Sequence, residues 1–231
     1  MKIICFITVL LLTVLLSAGC AAKPSGPSAE QTSQPEETTS LLYSDLSGFA
    51  IGSPFAYAGA YVEDGSGDAL ENVAAIRVEN VSEEAIRSVQ FTMDTGAGEL
   101  RFVCTTLLPG RRALLLEQDR RPYTGAAVNG MTVSDKIVFA EPLSLYPDTF
   151  QLSVSDQVMT LKNISSAPVA GDIFVYFKRC DAQGYVGGIT YRVRFSDLPA
   201  GAQASMRAQN LDEKDCDILF IGCENPPEVQ S

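Results

Sequence analysis

Ile76-Arg77-Val78-Glu79-Asn80-Val81-Ser82 and Met159-Thr160-Leu161-Lys162-Asn163-Ile164-Ser165 are one short pattern written twice, apolar and polar residues alternating until the run closes on Asn-x-Ser. Alternation with a period of two is the strand period. Six residues past each Asn stands Ile86 or Val169, opening a second apolar run: Val89, Phe91 and Met93 in one half, Ile173, Val175 and Phe177 in the other. A third strand follows, Leu100 to Leu107 against Gly187 to Phe195, and then Leu108-Pro109-Gly110 answers Leu198-Pro199-Ala200-Gly201. The last correspondence sets Asp135-Lys136-Ile137-Val138-Phe139 against Asp217-Ile218-Leu219-Phe220, with Ile137 on Ile218 and Phe139 on Phe220. The order is shared throughout, so the chain reads as two versions of one unit.

Within each unit the strands have a wet and a dry face. Tyr191, Val193 and Phe195 alternate with Arg192 and Arg194, and Val89, Phe91 and Met93 alternate with Ser88, Gln90 and Thr92. No stretch past the N-terminal segment carries a helical stripe. Short strands punctuated by Asp-x-x-Gly and Pro-Gly turns predict an all-β protein, two tandem antiparallel immunoglobulin-like β-sandwich domains over 41–143 and 144–225. Asn80 and Asn163 share the inward parity of their strands and precede a bend. A buried amide there is expected to bond the free backbone groups of the loop, with Ser82 or Ser165 closing the turn. The units resemble small β-sandwich modules carried by bacterial envelope lipoproteins, a resemblance of architecture that implies no particular activity.

The N-terminal segment is a second signal. Lys2 precedes an apolar run from Ile3 to Leu16, shorter than the ~20 residues that span a bilayer. The run ends in Leu16-Ser17-Ala18-Gly19-Cys20, which resembles the lipobox of bacterial lipoproteins. In that family the cysteine sulfur receives a diacylglyceryl group and a peptidase cuts just before it. The resemblance implies a signal peptide over 1–19, lipid attachment at Cys20, and residence on the extracytoplasmic face of a bacterial cell membrane. Leu16 stands one position earlier than the family's usual leucine, with Ser17 in its place, and the small residues also suit ordinary secretion. Residues 21–40 are rich in Ser, Thr, Pro, Glu and Gln and hold no aromatic or large aliphatic residue. Residues 20–40 are thus expected to be a flexible linker with a reach of about 25 Å, and 226–231 a disordered tail.

Composition narrows the function. The chain carries a net charge of −11 with no histidine, which removes the commonest general base and metal ligand and makes nucleic acid an unfavourable partner. Arg111-Arg112 and Arg120-Arg121 read as solvated loop charge. With Cys5 in the signal and Cys20 acylated, Cys104, Cys180, Cys216 and Cys223 remain. Their spacing matches no zinc signature. Cys104 reads as a buried thiol, and a bridge among the other three is open.

Two loops are candidate binding sites. Asp64-Gly65-Ser66-Gly67-Asp68 with Glu71 alternates oxygen side chains as some calcium loops do, but Ala69 stands where an EF-hand has its glycine. Asp181-Ala182-Gln183-Gly184 with Tyr185 forms a hairpin tip offering an aromatic to a partner. Ser66 lies in no nucleophile elbow. No cofactor and no catalysis are expected. The remaining readings are a surface interaction or accessory module that contacts the membrane by its lipid and another envelope protein by edge strands, and a lipoprotein binding a glycan, peptide or cation. A concave groove near Glu141 to Asp148 would favour the second.

Overall fold

The computed structural model describes residues 40–60 and 69–225, and these are all-β, fifteen strands with no helix among the described residues. The strands of the first half are β1 (Leu41–Leu46), β2 (Phe49–Gly52), β3 (Phe55–Gly59), β4 (Leu70–Asn80), β5 (Ile86–Thr95), β6 (Gly98–Leu107), β7 (Arg112–Leu116) and β8 (Val128–Val138). The second half holds β9 (Phe150–Ser155), β10 (Val158–Asn163), β11 (Val169–Asp181), β12 (Gly184–Val186), β13 (Tyr191–Leu198), β14 (Gln203–Arg207) and β15 (Cys216–Cys223).

Pairing repeats between the halves. In the first, β4 lies between β2 and β7, and β5 lies between β6 and β8, all antiparallel. In the second, β10 lies between β9 and β14, and β11 between β13 and β15, again antiparallel. Registers repeat too: Phe49 faces Asn80 as Phe150 faces Asn163, and Ile86 faces Leu107 as Val169 faces Leu198. The equivalent of Leu198 is therefore Leu107, one residue before Leu108. The extra residue between Val169 and Ile173 is a β-bulge, accommodated by Gly171 at φ 83°.

The final strand departs from the sequence reading. Phe177 faces Ile218 where its counterpart Met93 faces Met131, so Met131, not Ile137, matches Ile218. Ile137 lies past a bulge at Asp135 (φ 50°) and is 51% exposed. Phe139 and Phe220 are not equivalents but neighbours, packed edge to face at 5.3 Å.

The strand alternation places the core. Val89, Phe91 and Met93 are buried, as are Val193 and Phe195, with Arg192 and Arg194 in solvent. One cluster joins Phe49, Phe91 and Phe102, with Leu219 and Phe220 contributed by the second half. Another joins Phe150, Leu161, Val175 and Phe177. Each fully buried phenylalanine contributes roughly 1.5–3 kcal/mol. Cys104 is a buried thiol, and Cys180, Cys216 and Cys223 are thiols outside any disulfide. Cys216 and Cys223 stand at opposite ends of β15, about 23 Å apart at the strand rise, far beyond disulfide reach.

Sheet edges are treated unequally. In the first half β1 covers β2, and β12 of the second half covers β7 in parallel, joining both halves in a nine-stranded sheet. Among the described residues, the equivalent sheet of the second half, β14-β10-β9, has no strand beyond β9 or β14.

Candidate functional site

Each Asn-x-Ser turn is built around one asparagine side chain. Asn80 is fully buried, and its Nδ2 donates to the carbonyls of Glu84 (2.8 Å) and Leu107 (3.0 Å). Its Oδ1 accepts from the Ser82 backbone N–H (3.1 Å) and from Ser82 Oγ (2.7 Å). Asn163 repeats the set: Nδ2 donates to Ala167 (2.8 Å) and Leu198 (3.0 Å) carbonyls, and Oδ1 accepts from Ser165 N–H (3.0 Å) and Oγ (2.7 Å). A buried amide with all its capacity used is structural. The residue between, Val81 or Ile164, is turned outward at 45% and 46% exposure.

Of the residues singled out as sites, Cys20, Asp64, Ser66 and Asp68 lie outside the described residues. Glu71 is an exposed residue near the start of β4. The Asp181 hairpin forms as expected, Asp181 Oδ1 accepting from Gln183 N–H at 2.7 Å. Tyr185 is a correction: it is only 3% exposed and packs into the first half's core instead of standing at the tip. The cause is β12, which pairs with β7 and so turns the hairpin arm inward against the other half.

That arm makes the seam. Gly187 N–H donates to Leu114 C=O at 2.9 Å, extending the β7–β12 pairing. Gly188 C=O accepts from Thr105 N–H (2.8 Å) and Oγ1 (2.9 Å), and Thr190 Oγ1 donates to Thr105 C=O (2.9 Å). A Cβ on Gly188 would fall on the Val103 carbonyl, so only glycine allows this approach. Lys178, wholly buried, donates from Nζ to the carbonyls of Gly187 (3.4 Å), Gly188 (2.9 Å) and Ile189 (3.1 Å), with the Tyr185 ring 5.6 Å away. Sequence reasoning missed Lys178. Strand parity sets it on the face opposite Val175 and Phe177, and the arm closes over it there.

A depression of about 490 Å³ opens beside the arm, lined by Arg111, Arg112, Cys180, Gln183, Tyr185 and Asp217 among others. It does not include the Glu141 to Asp148 segment. Its charges answer one another: Arg111 pairs with Asp217 at 3.3 Å, Arg112 with Glu79 at 2.7 Å, and Tyr185 Oη donates to Asp217 Oδ2 at 3.3 Å. Exposed pairs of this kind contribute about 0–1 kcal/mol. Burial, with help from the Asp217 carboxylate, pushes the Tyr185 phenol well above its usual range. Burial also raises the Cys180 and Cys216 thiols and pushes Cys223 up to about 11. Thiols held protonated are poor nucleophiles and poor metal ligands.

The buried carboxylate of Glu117 accepts from the backbone N–H groups of Asp119 (2.9 Å) and Arg121 (2.8 Å) and shapes the turn after β7. No known family model matches the chain, and no curated protein matches it.

Proposed function

We propose that the chain is an envelope lipoprotein, anchored through Cys20 on the extracytoplasmic face of a bacterial membrane, whose two tandem immunoglobulin-like sandwiches act as a non-catalytic interaction or accessory module. The sandwich reading draws support from the repeated strand order and from the paired Asn networks. The interaction reading rests on one observation: β2 and β7 of the first half each carry a further strand, β1 and β12, whereas among the described residues the equivalent strands β9 and β14 of the second half carry none. A bare edge accepts a partner strand through backbone hydrogen bonds.

The test is a photocrosslinking side chain placed in living cells at the exposed Ser153 of β9, with the exposed Glu71 of β4 as control. A discrete adduct at Ser153 alone is expected, and identical labelling at both sites would overturn the reading. The ligand-binding alternative draws on the depression at the seam. It is the weaker reading because Arg111, Arg112 and Asp217 already have partners inside the chain.

A further inference from the structure

The register of the second half says which peptide groups its bare edge presents. Asn163 N–H donates to Ala202 C=O, and Ala208 N–H donates to Gln157 C=O. Along β14 the peptide groups of Ala204 and Met206 therefore face β10, and those of Gln203, Ser205 and Arg207 face outward, by the alternation of an antiparallel ladder. The first half shows the same parity at β7. There Asn80 N–H donates to Arg111 C=O, Glu117 N–H donates to Ala74 C=O, and the outward carbonyl of Leu114 takes Gly187 N–H from β12. Leu114 and Ser205 are equivalent positions, so the place filled by β12 in the first half is empty at β14. Among the described residues no backbone group bonds to the outward groups of Gln203, Ser205 and Arg207.

We infer that β14 pairs antiparallel with β14 of a second copy of this chain, about a two-fold axis at Ser205. This deepens the interaction reading by naming the partner. Three facts select the occupant. Centring on Ser205 matches every outward group, giving Gln203 opposite Arg207, Ser205 opposite Ser205 and Arg207 opposite Gln203, six backbone hydrogen bonds in all. No like charges meet in that register, since Gln203 is neutral and Ser205 small. β14 is also lightly defended against edge pairing: it has one charged residue, Arg207 at its end, and no proline or bulge, whereas β8 has a bulge at Asp135 beside Lys136, and β13 has Arg192, Arg194 and Asp197 at φ 45°. β9 is equally bare, but its counterpart β2 is covered by the adjoining β1, whereas β7 is covered by a strand remote in sequence.

The test is the mass of the Cys20→Ser chain by light scattering across a concentration series. The expected result is a concentration-dependent approach to twice the monomer mass. Gln203 meets Arg207 twice per dimer, so Gln203→Glu tightens association by about 2- to 30-fold and Gln203→Arg weakens it similarly. Ser205→Pro removes the central outward donor and abolishes the dimer; the Ser205 peptide makes no bond to β10, so the fold loses only the exposed Ser205 Oγ–Thr160 Oγ1 contact of 2.8 Å and stands. Matched thermal midpoints of the two Gln203 variants exclude a folding effect. A monomer up to ~1 mM, or a dimer indifferent to all three substitutions, would overturn the inference. Either outcome leaves the crosslink at Ser153 to decide the interaction reading by itself.

Discussion

Replacing Asn163 with alanine is the sharpest probe of the repeated turn. The amide is wholly buried and makes four hydrogen bonds, two as donor and two as acceptor. In Asn163→Ala the Leu198 carbonyl loses its side-chain donor, the Ala167 carbonyl keeps only Ser165 Oγ at 3.0 Å, and the Ser165 N–H loses its acceptor. Each buried group left without a partner costs ~1–3 kcal/mol. Ser165 is partly open to water, so the sum expected is about 3–5 kcal/mol, a large share of a domain's stability. Asn80→Ala has the same contacts to lose and is expected to match within about 1 kcal/mol. Urea unfolding followed by far-ultraviolet circular dichroism measures both. Asn163→Asp adds a signature that packing loss lacks. A carboxylate there faces two carbonyl oxygens with no proton to offer, and protonation restores one donor. The folded state then binds the proton more tightly than the unfolded state, so this variant recovers stability as pH falls, which Asn163→Ala does not. A loss under 1 kcal/mol at both positions, or a disparity above 2 kcal/mol between them, would refute the argument that one network is built twice.

At the seam, Lys178→Met keeps volume but strands the carbonyls of Gly187 and Ile189, Gly188 C=O still being held by Thr105. The expected cost is about 1–3 kcal/mol, with faster amide exchange confined to residues 185–190 and Thr105; unchanged exchange there would sink the latch. Stability is expected to hold up to about pH 8.5, where unfolded thiols begin to ionise, and to fall as pH rises toward 11. Cys180, Cys216, Cys223 and Tyr185 all stay protonated longer in the fold, so the unfolded state binds fewer protons across that window. Cys223→Ala should flatten the decline of the urea midpoint between pH 8 and 11, and an equally steep decline would count against Cys223 as a contributor. Cys20→Ser is expected to move the protein from the membrane fraction to the medium; retention in the membrane would rule out the lipid anchor.

What was legible in the sequence is what strand parity and local turn chemistry govern. Phe91, Val193 and Phe195 are buried because alternation survives folding, and Asn80 and Asn163 lie where parity and the following bend put them. The register of the last strand was not legible. Ile137 and Phe139 present the same apolar alternation as Ile218 and Phe220, and the positive φ of Asp135, which displaces Ile137 from the core, leaves no mark on that pattern. Tyr185 was misread and Lys178 missed for a different reason. Both are buried by contact between halves distant in sequence, and no local rule sees that contact. Two local oddities could have pointed to it: β11 runs three residues longer than its counterpart β5, and Gly187-Gly188 follows.

Comparing β7 with β14 shows what the arm has done to the repeat. The positions holding Arg112, Leu114 and Leu116 in β7 hold Gln203, Ser205 and Arg207 in β14. Leu114 and Leu116 are buried, and they pack with Val186 of the arm in a small apolar cluster of their own. Ser205 and Arg207 are exposed. The arm of the second half reaches back to β7, and among the described residues no strand does the same at β14, where the side chains are polar and the backbone edge is open. A strand added at β14 would thus gain backbone hydrogen bonds, each contributing ~0.5–1.5 kcal/mol net, but no apolar cluster like that of Leu114. Such pairing is weak in free solution. Confinement of two chains to one membrane face raises their effective concentration without any new contact, so the association is expected to follow surface density, which connects the proposed lipid at Cys20 to the bare edge at Ser205.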